Sequence, residues 1–258
     1  MSKIKFGLKI WSTDNKSLFE EARRLFEKGE VDFVELYIVP DSIAPGKSDI
    51  LDDLKKVPTI IHSPHNEHNF DVFTLDDSKT EIFKEQVVKI ADFLGSKFII
   101  VHAGVGDSYE IFKEKIEKIR DKRALIENMT KVGINDELCF GYSLEQLKFI
   151  KNLGFNFCLD FSHVIKSATS QRLDYKEFIG KLISELKPAY FHICNGRMDN
   201  EKDEHQDLFD GDFDLSWIKQ TLLGLEKDVY LVFETPKKGN GLENDVKNMK
   251  YFRSIKNH

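Results

Sequence analysis

The chain has 258 residues, 41% of them hydrophobic, which is enough apolar content for one substantial core and suits a single domain spanning 1–258. Lysine and arginine number 38 against 44 aspartate and glutamate, so the formal net charge of -6 gives general nucleic-acid attraction no support, although a local basic face could still bind DNA. The opening MSKIKFGLKIW lacks signal-peptide architecture and the longest apolar runs, such as Phe98 to Val101, are strand-sized, so we expect a soluble, cytoplasmic protein without membrane contact.

In chain order, short β-branched and aromatic runs fall at Ile4–Trp11, Asp32–Val39, Thr59–Ser63, Lys97–Ala103, Arg123–Asn128, Asn156–Ser162, Ala189–Ile193 and Asp228–Thr235. Segments of helical period lie between them at Ser17–Lys28, Ser48–Lys55, Ser78–Leu94, Tyr109–Arg120, Ser143–Asn152, Asp174–Glu185, Asp214–Leu223 and Leu242–Ile255. Several open on a serine or aspartate able to cap a first turn, and Gly95 and Gly154 suit left-handed C-terminal turns. Strict alternation without a topological switch point predicts an α/β fold, a single (β/α)8 TIM barrel. The three cysteines, Cys139, Cys158 and Cys194, show no CxxC spacing and read as reduced core filler, with alternation pointing Cys158 and Cys194 into the barrel.

The strand ends carry the chemistry. Strand three ends on His62, strand four on His102, strand five on Glu127, and strand six on Asp160 followed by His163. Strand seven gives His192, its loop gives Asp203 and His205, and strand eight gives Glu234. Any one histidine at a strand end is ordinarily a hydrogen-bonded rim residue, but carboxylates inside apolar strands, such as Glu127 and Asp160, are costly unless paired. Nine donors on the rim where barrel enzymes build their sites exceed one tetrahedral sphere, so two or three divalent ions are expected. Imidazole-rich ligation without thiolate suits Zn2+, with Mn2+ or Co2+ as substitutes.

Weaker candidates flank this set. Arg197 and Lys237 follow strands seven and eight and could meet an anionic substrate; His65 and His68 lie in the loop after strand three, and His65 is the candidate contact of the two. Asp207, Asp210, Asp212 and Asp214 read as turn and helix-capping residues. Gly104 and Gly106 complete no nucleotide fingerprint.

At these residues the sequence resembles endonuclease IV and its wider superfamily, the xylose isomerase-like barrels (AP endonuclease family 2). The likeness runs in order from His62 to Glu234 and includes the DxxH pair Asp160–His163, the DxH pair Asp203–His205 with a following Gly-Asp turn, and the terminal ETP. The resemblance implies three metal positions: Glu127, Asp160, His192 and Glu234; His62, His102 and a bridging Glu127; and His163, Asp203 and His205. The first is also the mononuclear site of the superfamily's sugar isomerases and epimerases, where the two glutamates move protons as well. Endonuclease IV places a tyrosine and a leucine after its first histidine as a DNA wedge, whereas this chain has Ser63-Pro64-His65-Asn66. Its arginine-bearing loop after strand two is replaced by Pro40-Asp41-Ser42-Ile43-Ala44.

Two activities follow as expectations. One is hydrolysis of a phosphate ester, with Glu234 orienting the nucleophile; the other is isomerisation or epimerisation of a sugar or sugar phosphate, with Glu127 and Glu234 as proton carriers around an enediolate. The donors beyond the mononuclear set favour the first, and the acidic charge favours a small phosphorylated or sugar substrate over DNA. A non-catalytic metal-binding protein is a third reading, disfavoured because convergent buried charge is usually functional.

Overall fold

A right-twisted strand that feeds a helix returns to a parallel neighbour on the same hand, and repetition of that step closes a sheet. In the computed structural model, which describes residues 3–43 and 49–256, eight parallel strands close in sequence order into a barrel. The first half runs β1 (Ile4–Trp11), α1 (Lys16–Glu27), β2 (Phe33–Tyr37), α2 (Asp49–Leu54), β3 (Thr59–His62), α3 (Asp77–Ile82), α4 (Lys89–Phe93), β4 (Ile99–His102) and α5 (Tyr109–Glu117). The second runs β5 (Ala124–Glu127), α6 (Leu144–Asn152), β6 (Asn156–Asp160), α7 (Phe161–Gln171), α8 (Tyr175–Leu186), β7 (Tyr190–Ile193), α9 (Leu215–Leu223), β8 (Val229–Phe233) and α10 (Glu243–Ser254).

Local chemistry explains the boundaries. Ser143, Asp174 and Asp214 cap α6, α8 and α9 by accepting from the amide three residues on, while Asn15 and Asp76 take that role for α1 and α3. The helix expected over 78–94 is interrupted by a π-helical stretch, Phe83–Val88. The helix expected from Ser48 is described only from Asp49, since Ser48 and Ala44 lie outside the described residues. Strand six is shorter than the apolar run suggests, because Asp160 caps α7 through the His163 amide and turns Phe161 and Ser162 into helix. Gly95 and Gly154 adopt the left-handed φ their positions require.

The large core lies between strands and helices, and a second cluster fills the barrel itself: Phe33, Ile60, Ile100, Leu125, Cys158, Tyr190 and Val232, with Phe98 and Tyr230 beneath. Phe33, Phe98, Tyr190 and Tyr230 meet edge-on or stacked, so the N-terminal end has an aromatic floor. Side chains on one face of a strand recur every second residue, so the next inward position above each floor residue is fixed. Those positions are Glu35, His62, His102, Glu127, Asp160, His192 and Glu234, and on β1 the inward residue above Gly7 is Lys9. Each strand therefore gives one polar residue to a single layer near the C-terminal mouth.

Gly7 marks a close approach. A Cβ there would stand 2.4 Å from the Phe33 ring, which is buried and locked by Tyr190 and Tyr230. Gly7→Ala is expected to cost about 1–3 kcal/mol through overpacking, read as a lowered denaturation midpoint with an unchanged urea m-value. An unaltered midpoint would show that the floor yields freely.

Candidate metal centre

The polar layer, the first turn of α7 and the loop after β7 gather the nine expected side chains into adjoining groups, of which His102, His163, Asp203, His205 and Glu234 line one cavity. Glu127, Asp160, His192 and Glu234 offer atoms within 4.8 Å of one another, as do His62, His102 and Glu127, and also His163, Asp203 and His205. Register contributes directly: His102 pairs with Glu127, and Asp160 with His192, across neighbouring strands. Within the set, His62 Nε2, both Glu127 oxygens and His192 Nδ1 are buried without a hydrogen-bond partner. Glu127 Oε2 stands 3.5 Å from His62 Nε2, 3.4 Å from His102 Nε2 and 3.3 Å from His192 Nδ1. Donors bound at about 2.0–2.1 Å around a tetrahedral zinc lie roughly 3.3 Å apart, so these orphaned atoms are spaced as ligands of a shared ion would be.

Imidazole tautomers agree with that fit. His62 Nδ1 lies 2.8 Å from the Ser63 carbonyl and His163 Nδ1 2.8 Å from the Asn128 carbonyl; a carbonyl only accepts, so in the neutral ring each Nδ1 carries the proton and each Nε2 offers the lone pair. Asn128 also clasps both backbone groups of Asp160, fixing β5 against β6 at the site. The other nitrogen of His163, Nε2, stands 3.6 Å from Asp203 Oδ2.

The loop that brings Asp203 and His205 over the mouth has its own scaffold. Asn195 pairs with Gln206 through both backbone bonds, and its side chain holds Leu208, Gly196 and Phe213. Lys166, fully buried on α7, donates to the Arg197 carbonyl and pairs with Glu204. His205 takes a left-handed φ of 48°, which turns its ring onto Asp203.

Electrostatics without ions shows what the donors need. Burial pushes the Glu127 carboxyl up, but His102 and His192 outweigh it and hold it well below the usual carboxylate range. Burial opposes charge on His163, but Asp160 and Asp203 outweigh it and raise its value well above that of a free imidazole. For His205 burial also opposes charge, and Asp203 overcomes it to bring the value up to about 9. The carboxylates thus recruit protons where a divalent cation would serve.

The cavity above the layer has a volume of about 490 Å³ and is walled by Trp11, Tyr37, Met129, Phe233 and the segment from Thr130 to Cys139, which is pinned by antiparallel bridges Val105 to Cys139 and Val132 to Leu138. His65 lines it, its ring stacked 4.6 Å from His102, while His68 is bonded to the Tyr37 hydroxyl. Lys237 also lines it but is engaged by the Lys9 carbonyl and Asp245. Arg197 is not among the lining residues; it is exposed and paired with Asp199. The expected turn aspartates are structural: Asp214 caps α9, and Asp207 holds Asn244, Asn248 and Lys238.

Sequence reading missed Lys9 and Glu35. Both are buried in the polar layer, paired in register, with Lys9 bonded to Glu234 and 3.4 Å from Glu35. The signal was present, because inward alternation extended back from strands three to eight selects the charged residues of LKIW and VELY.

Comparisons with known proteins accord with this architecture. A family model described as "Xylose isomerase-like TIM barrel" matches residues 30–255. A protein of Mesomycoplasma hyopneumoniae strain J named "Probable endonuclease 4" is 22% identical over 203 residues, covering 70% of this chain and 72% of its own. Among solved structures, a D-tagatose 3-epimerase-like protein aligns with TM-score 0.70 at 16% identity, covering 97% of this chain and 96% of its own. An AP endonuclease, family 2, from Brucella melitensis aligns with TM-score 0.68 at 14% identity, covering 98% of each chain. At such identities the structural likeness speaks for the fold.

Proposed function

The chain belongs to the xylose isomerase-like TIM barrel family, and from that premise we propose that it is a metal-dependent phosphoesterase acting on a small substrate with two or three divalent ions, zinc above all. One observation carries this reading: beyond the mononuclear set, His62 and His102 form a group with the shared Glu127, and His163, Asp203 and His205 form another that lines the same cavity as His102 and Glu234. Ions bound there would supply Lewis-acid activation and neutralise developing negative charge.

Charge supports the substrate class. Glu35, Glu127, Asp160, Asp203 and Glu234 against Lys9 leave four net negative charges when the histidines are neutral. One divalent ion leaves the site anionic, whereas three leave a surplus of two positive charges, complementary to a phosphoryl dianion. Glu234, fixed by Lys9, orients the attacking water; Asp203 and His205 face the mouth, where a leaving oxygen departs. The walls carry Glu67 and Glu137, and Lys237 is already paired, so little in the cavity draws a polyanion such as DNA.

The isomerase reading retains one support, the presence of both Glu127 and Glu234 in the shared group, with Glu234 lining a cavity of sugar size. A phosphomonoester and phosphodiester panel run beside ketoses and ketose phosphates, each with zinc, manganese and cobalt, separates the two. Hydrolysis is the expected result; isomer formation with no hydrolysis would reverse the assignment. Binding to duplex DNA bearing an abasic site is expected to be weak and strongly salt-dependent, and tight binding at physiological salt with incision 5′ to the lesion would reject the small-substrate reading.

A further inference from the structure

Two members of the polar layer, Glu35 and Lys9, hold no ion in the proposed function. Glu35 is fully buried, and its Oε2 accepts from the Tyr190 hydroxyl at 2.6 Å and from His192 Nε2 at 2.7 Å. Its Oε1 has no hydrogen-bond partner and faces the Lys9 ammonium at 3.4 Å. The opposite nitrogen of the same imidazole, His192 Nδ1, is unpartnered and stands 3.3 Å from both Glu127 Oε2 and Glu234 Oε1.

A neutral imidazole has one N–H, and two acidic neighbourhoods compete for it. With the proton on Nδ1, His192 would hydrogen-bond Glu127 or Glu234 and offer no lone pair to an ion between them. With the proton on Nε2, it satisfies Glu35 and presents the lone pair upward. We infer that Glu35, kept anionic by Lys9, is a positioning residue that fixes His192 with Nδ1 as its metal-binding nitrogen. Lys9 completes the device by holding Glu234 on the same side. Glu35, His62, His192 and Glu234 could by spacing alone pass for a further metal group, but the Lys9 ammonium already supplies the cation between Glu35 and Glu234.

This inference rests on the metal-binding half of the proposed function and is independent of the reaction. Its test uses full-length protein loaded with zinc or cobalt(II), with Glu35→Met, Glu35→Gln and the double variant Glu35→Met/Lys9→Met, which leaves no unpaired ammonium. Readouts are ion number, affinity by chelator competition, the cobalt ligand-field spectrum and the nitrogen-15 signals of His192. Glu35→Met and the double variant should lose about 10–100-fold affinity at one ion, with an altered cobalt spectrum, while the other ions stay bound. Glu35→Gln, which keeps an oxygen to accept from Nε2, should remain within a few-fold of wild type and keep the proton on Nε2. Unchanged affinity and spectrum in the double variant would overturn the inference. So would loss of every ion together with the fold, because that is the mark of a purely structural pair. A wild-type protein that binds one ion or hydrolyses nothing would sink the phosphoesterase reading and leave these outcomes intact, since His192 belongs to the mononuclear group as well.

Discussion

Glu127→Gln is expected to lower phosphoesterase turnover by about 10³-fold or more and to remove two ions, because Glu127 faces His62, His102 and His192 at once. His102→Ala and His205→Ala should each remove one ion and cost about 10²-fold, mainly in turnover, since each ion neutralises charge that grows in the transition state. An isomerase would respond differently: the two histidine changes would matter little, and Glu127→Gln or Glu234→Gln would abolish proton transfer. Turnover of a phosphate ester that survives loss of both His102 and His205 would reject the hydrolytic cluster. Deuterium washing into a sugar at C2 or C3 would establish the isomerase in its place.

Stripping the ions should lower the melting temperature by more than about 10 °C, because an ion at about 1,000 times its Kd adds roughly 4 kcal/mol per position. The effect of pH should take opposite signs in the two forms. Without ions, the His205 value of about 9 lies above the unfolded value of about 6.5, so its protonation contributes stability that is complete below about pH 6.5 and is lost as pH rises through about 9. With ions, the imidazoles must be neutral to coordinate, so affinity falls as pH drops below that same value. Melting curves with and without chelator across pH 6 to 9 check both slopes, and coincident curves would show that nothing of consequence binds.

The barrel and the gathering of these side chains were legible because two periodicities coincide in this chain. The period of two that makes VHAG and LVFETP read as strands also delivers His102 and Glu234 to the interior, so fold and site share one signal. Where another force sets the local structure, that signal fails. Asp160 ends β6 by capping α7, so His163 reaches the site from a helix rather than a strand. Lys9 and Glu35 escaped because each sits among apolar neighbours on a strand whose end carries no histidine, so the alternation that selects them was not followed back to strands one and two. Arg197 was named for its position after β7, but its guanidinium is taken by Asp199. Charge pairing over two residues is invisible to arguments about strand ends.

The aromatic floor also determines how this barrel exchanges with its surroundings. Phe33, Phe98, Tyr190 and Tyr230 seal the lower end, and the walls are hydrogen-bonded all the way round. Among the described residues the interior is therefore a well with a ring-packed base and a mouth at the C-terminal ends of the strands. Water, protons, ions and reactants that enter by the mouth meet His205, Asp203 and the Lys9 ammonium in one cavity, and Glu35 is reached only through the layer that Lys9 closes.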